Sequence, residues 1–81
     1  MTTEVLFTFP NTKTAITAER TLLTAGLKVT VAPMPEALSA ECGIVLRLPE
    51  QELEAGKAAL HAAGTAVSAI YRVQGGRLLP L

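Results

Sequence analysis

Cys42 is the residue best equipped for chemistry in this 81-residue chain, which holds one cysteine. A lone thiol excludes an internal disulfide, a CxxC redox pair and an all-cysteine zinc site within one chain. What remains is thiolate chemistry, in which sulfur attacks another sulfur centre or holds a chalcogen atom on the side chain. His61 is the single histidine, so one chain offers a metal at most one Cys and one His ligand, and a metal shared across a dimer stays open. No metal and no cofactor is expected.

The remaining composition narrows the function further. Seven Lys and Arg balance seven Glu, with no Asp, so the formal net charge is zero. There is no broad basic field for nucleic acid. Two of the three aromatics, Phe7 and Phe9, fall in one apolar run and leave no platform for stacking bases. No nucleophile–His–acid set and no Gly-rich phosphate loop marks a self-sufficient enzyme. No stretch approaches a membrane span. The N-terminal MTTEVLF lacks the basic and long apolar regions of a signal peptide, and with a free thiol this points to the cytoplasm.

Six elements must position the thiol. EVLFTF, residues 4–9, alternates Val5, Phe7 and Phe9 against Leu6 and Thr8 and predicts a strand ended by Pro10. Asn11 or Thr12 then caps a helix with the stripe Ala15, Ile16, Ala18, Glu19, Leu22 and Leu23, closed by Gly26. Leu27, Val29 and Val31 predict a second strand, stopped by Pro33 and Pro35, and Glu36 to Glu41 suits a single helical turn. Gly43 to Leu48 is a third strand. Pro49 opens a second helix, with Glu50, Glu52 and Glu54 early and Lys57 and His61 late, as the helix dipole favours. Gly56 inside it marks either a helix cost of about 1 kcal/mol or a close approach. Val67 to Val73 is the fourth strand, and Gly75-Gly76 sets off the tail Leu78-Leu79-Pro80-Leu81.

This order predicts an α+β, ferredoxin-like two-layer sandwich, β-α-β-β-α-β, with an antiparallel sheet in the order 4-1-3-2. The domain would span residues 1–74, followed by a short apolar tail, 75–81. In that topology the loop 33–43 and the first helix's N-terminus share one end of the sheet. Cys42 and Gly43 are therefore expected near Asn11, Thr12 and Lys13, where unpaired N–H groups and an ammonium favour a thiolate or a bound anion. Glu41 and the negative end of a turn at Glu36 to Glu41 oppose this, leaving the sign of the thiol shift open. Gly43 would let a reagent approach closely.

Several stretches carry a family resemblance. Phe9-Pro10-Asn11-Thr12, Ala18-Glu19, Ala25-Gly26-Leu27 and the run from Pro33-Met34-Pro35 through Ser39-Ala40-Glu41-Cys42-Gly43 to Arg47 resemble the small selenium/sulfur carrier-like domain family. Its pattern runs approximately F-x-S-T, A-E, a Gly-led second strand, P-x-P, then I-S-S-x-C-G and an apolar strand bearing Arg. Asn11 stands where Ser is usual, and Ala40 where a second Ser is common. The resemblance covers roughly residues 4 to 73. It implies a carrier that takes sulfur or selenium from a persulfide or selenosulfide donor, holds it on Cys42 as Cys–S–SH or Cys–S–SeH, and passes it on. With no second cysteine in the chain, the cargo is not expelled as an internal disulfide. The implied site is Cys42, with Gly43, Asn11, Thr12, Lys13, Ser39 and Arg47 around it. The implied partners are sulfur or selenium donor and acceptor proteins, such as a cysteine desulfurase.

The alternative is a non-catalytic ferredoxin-like interaction or ligand-sensing module with a structural cysteine, since free Cys is often a small buried hydrophobe. The sheet face away from the helices would then carry Leu6, Val45 and Ile70 among Thr8, Arg47, Ser68 and Arg72. Such a face suits a homodimer or a larger partner, with the Leu78–Leu81 tail adding contact.

Overall fold

The chain is seen in a computed structural model that describes residues 3–35, 38 and 43–81. Alternation in β1 (Glu4–Thr8) sends Val5 and Phe7, with Phe9 just beyond, into one fully buried face, which makes this strand the centre of the sheet. The helix α1 (Thr12–Thr24) starts at Asn11 and ends in a left-handed glycine, Gly26, at φ +81°. Gly26 N–H donates to Leu23 O and Leu27 N–H to Leu22 O, the paired bonds that satisfy a helix's last carbonyls.

After β2 (Thr30–Pro33) and β3 (Ile44–Pro49), a 3-10 turn at Glu50–Glu52 leads into α2 (Leu53–Ala62). Gly64, at φ +69°, closes α2 in the way that Gly26 closes α1. Then come β4 (Ala69–Gln74) and β5 (Arg77–Pro80). Every pairing is antiparallel, and the order across the sheet is β2-β3-β1-β4-β5.

The α+β architecture stands and the first four strands keep the expected order 4-1-3-2, but the sheet has a fifth strand beside β4. The segment taken for a tail is β5, which pairs along β4 from Gln74↔Arg77 to Tyr71↔Pro80. Gly75 and Gly76, both at positive φ, form the two-residue turn that the right-handed twist of a hairpin prefers. Two other boundaries move. Leu27 and Val29 pack against the core before the ladder begins at Thr30, because Lys28 N–H donates to the Glu52 carboxylate at 2.8 Å instead of to a strand. Pro49 is the last residue of β3, where its missing N–H is tolerated, and does not begin the helix.

Both helices pack on one face over Val5, Phe7, Leu46 and Leu48. In α1 the buried positions are Ala15, Ala18 and Leu22, while Ile16 and Leu23 are 49% and 53% exposed. The predicted stripe was too wide, since the helix seats on its small residues. At Gly56 of α2 a Cβ would stand 3.3 Å from Leu48 Cδ1 and 3.5 Å from Phe7 Cζ, so this glycine marks a close approach over β3 and β1.

On the opposite sheet face β4 presents different residues from those its pattern predicts. Thr8 pairs with Ala69 and Leu6 with Tyr71, so Ala69, Tyr71 and Val73 share the outer face with Leu6 and Val45. Ile70 and Arg72, expected there, lie on the helix side. Alternation sets Val67, Ala69, Tyr71 and Val73 against Ser68, Ile70 and Arg72 and favours the first set for the core, but the register imposed by β1 overrides it in the strand.

Candidate functional site

β1 ends, α1 begins, and β3 and β4 begin at one end of the sheet, as the pairings Thr8↔Ala69 and Pro33↔Ile44 require. Asn11, Thr12, Lys13 and Gly43 all belong to this end. Cys42 and Ser39 lie outside the described residues, as does most of the turn expected over Glu36 to Glu41; of that region, Leu38 N–H donates to Pro35 O at 3.0 Å.

Asn11 is the helix cap. With φ −159° and ψ 167° its backbone is extended, and Oδ1 accepts from Thr14 N–H at 2.8 Å and Thr14 Oγ1 at 2.9 Å. Its side-chain oxygen is thus committed to holding the helix start, a task that Ser performs equally well. No carboxylate occupies the first turn of α1, which leaves the positive end of this dipole uncompensated by the helix's own acids. Lys13 is exposed and borders a cleft of about 370 Å³ between Thr14 and Thr17 of α1 and residues 63–66 after α2.

Gly43 is exposed, and a Cβ built on it meets nothing within 4 Å. Its carbonyl accepts from Met34 N–H at 3.0 Å, which closes the base of the β2–β3 connection. The open space means that no part of the described protein requires glycine here. Beside this connection, at the same end of the sheet, Thr8, Phe9, Met34, Leu38, Ser68, Ala69 and Tyr71 line a cavity of about 220 Å³. Thr8 Oγ1 is held to Ala69 O at 3.3 Å.

Arg47 is not gathered with Asn11 and Lys13. It lies four residues along β3 from Gly43, roughly 13 Å at strand rise, on the sheet face away from both helices. There its guanidinium pairs with Glu4, and it shares a depression with Pro33 and Pro35. His61 is exposed in the last turn of α2, in keeping with a helix-end role.

The glutamates after Pro49 do more than favour a helix start. Glu50 binds Arg72 Nε at 2.6 Å and Glu52 receives Lys28 N–H, two tertiary bonds for which the sequence carries no local signal. Leu6 and Val45, although on the outer face, are 4% and 1% exposed. That face therefore offers less apolar surface than the strand pattern suggested.

Among the described residues no group of His, Cys, Asp and Glu could hold a metal ion, and no helix is long and apolar enough to cross a membrane. These features define a small two-layer α+β domain in which Gly43 and the start of β3 lie at the end of the sheet where α1 is capped. The chain belongs to the family described as "Putative Se/S carrier protein-like", whose model matches residues 4–72. No curated protein and no solved structure matches it.

Proposed function

We propose that this protein is a chalcogen carrier, built on a ferredoxin-like unit widened by β5, that holds one sulfur or selenium atom on Cys42 between partner proteins. Membership of the carrier family over residues 4–72 carries this reading, and the sequence supplies a single thiol to bear the cargo. In loading, the Cys42 thiolate attacks the outer sulfur of a donor persulfide, R–S–SH. The Cys42–S bond forms, the donor's S–S bond breaks, and the donor leaves as R–S⁻, giving Cys42–S–SH without net oxidation. A donor R–S–SeH gives Cys42–S–SeH by the same exchange. Delivery reverses the sense, with an acceptor nucleophile taking the terminal atom and Cys42 leaving as thiolate. The uncompensated N-terminus of α1, at the end of the sheet where Gly43 lies, supports an anionic cargo.

Intact-mass measurement after incubation with a cysteine desulfurase and cysteine, or selenocysteine, tests the proposal. The expected result is the gain of one sulfur or selenium atom, removed by reductant and absent in Cys42→Ala. A protein that gains no mass, and whose Cys42 resists alkylation under native conditions, would sink the carrier reading.

A further inference from the structure

β2 and β5 are the two edges of the sheet, and both end in proline, at Pro33 and Pro80. In an antiparallel ladder, successive residues turn their N–H and C=O groups alternately to one side of the strand and to the other. Two bonds fix which residues turn outward. Met34 N–H donates to Gly43 O at 3.0 Å, in register with the β2–β3 ladder, so Thr30 and Ala32 also face β3 while Val31 and Pro33 face away. Leu81 N–H donates to Ile70 O at 3.0 Å, in register with the β4–β5 ladder, so Arg77 and Leu79 face β4 while Leu78 and Pro80 face away.

The two edges therefore have the same construction. In each strand the outward backbone belongs to an apolar residue and then to a proline two places on. Val31 and Leu78 offer both an N–H and a C=O to an added strand, whereas Pro33 and Pro80 offer only a C=O. The pyrrolidine ring also stands where a carbonyl of the incoming strand would have to come. An added strand thus finds one complete pair of hydrogen bonds on either edge strand and is blocked at the next.

The other common devices that blunt an edge are charged side chains and bulges. β2 carries no charged residue, and β5 carries only Arg77, at its start beside the hairpin turn. Both ladders run without a bulge. Val31 and, just past β5, Leu81 are 40% and 55% exposed, so the edges present the apolar side chains that invite strand pairing. We propose that Pro33 and Pro80 are edge guards, which hold the sheet at five strands in each molecule and refuse both a second copy and an extended segment of a partner. Contacts with other proteins are then made by side chains on faces and loops, and Leu78–Leu81 does not recruit a partner strand. The inference does not rest on the chemistry of Cys42.

The test uses the whole protein under reducing conditions. In hydrogen exchange, the amides of Val31 and Leu78 should be roughly tenfold less protected than those of Ala32 and Leu79, which face a neighbouring strand. Sedimentation of Pro33→Val, Pro80→Val and the double variant, each checked for its fold by circular dichroism, should show association roughly tenfold tighter than the parent's. The Val31 or Leu78 amide should become protected as that association proceeds. Pro33→Thr and Pro80→Thr restore the same N–H in a more polar residue and supply the comparison where a valine variant does not fold. Protection of Val31 and Leu78 in the parent equal to that of Ala32 and Leu79 would overturn the proposal, because the edges would then be occupied. So would folded variants at both prolines that associate no more tightly than the parent, or that associate without protecting those amides.

Discussion

Replacing Gly56 with progressively larger residues measures how closely α2 is seated on the sheet. Glycine within a helix costs about 0.5–1 kcal/mol relative to alanine, so a free surface site would gain that much on mutation to Ala. Here the new methyl meets Leu48 Cδ1 at 3.3 Å, with Phe7 Cζ at 3.5 Å and Leu22 Cδ2 at 3.8 Å in ordinary contact. One tight contact with the end of a leucine side chain offsets part of the helix gain, and Gly56→Ala should fall within about 1 kcal/mol of the parent. Gly56→Val and Gly56→Leu add atoms where three fully buried side chains already stand, and should cost about 1–3 kcal/mol or more. For a domain of this size each kcal/mol moves Tm by roughly 4–8 °C. Urea unfolding followed by circular dichroism at 222 nm supplies the free energies. If Gly56→Leu unfolds within about 0.5 kcal/mol of Gly56→Ala, well inside the cost of overpacking, α2 is not packed on Phe7 and Leu48 as described.

Further outcomes follow from the same geometry. Asn11→Ala should lose about 1 kcal/mol of stability by removing the cap on Thr14, and Asn11→Ser should restore most of it in the same denaturation assay. Gly26→Ala, forced to φ +81°, should cost about 1 kcal/mol, whereas Gly43→Ala, with open space around its Cβ, should leave stability within about 0.5 kcal/mol; equal losses would contradict the two environments. A double-mutant cycle on Glu4 and Arg47, which are 36% and 41% exposed, should return a coupling below about 1 kcal/mol that shrinks with added salt.

Much of this fold was legible because its signals are local. The alternation of Val5, Phe7 and Phe9, the cap at Asn11, and the glycine at 26 each act within a few residues. The cap and the glycine closure stand in the structure at those positions. The hidden features depend on distant partners. Glu50 and Glu52 read as helix-start acids but bond to Arg72 and Lys28. Ile70 and Arg72 read as outer-face residues until pairing with β1 set their parity. Gly75-Gly76, read as the break before a tail, is the turn that makes β5. Of the candidate site, Asn11, Lys13 and Gly43 share the expected end of the sheet, while Arg47 stands on the other face with Glu4.

The sequence by itself determined the single thiol, the neutral charge, the alternating order of strands and helices, and the family of carrier-like domains to which the chain belongs. Tertiary structure decided which faces those elements present. It seated α1 on Ala15, Ala18 and Leu22, brought α2 down onto Phe7 and Leu48 at Gly56, and added a fifth strand beside β4. The division has one physical cause. Capping, turn geometry and periodicity are properties of neighbours along the chain, whereas strand register and helix seating are set by residues that meet only when the core closes.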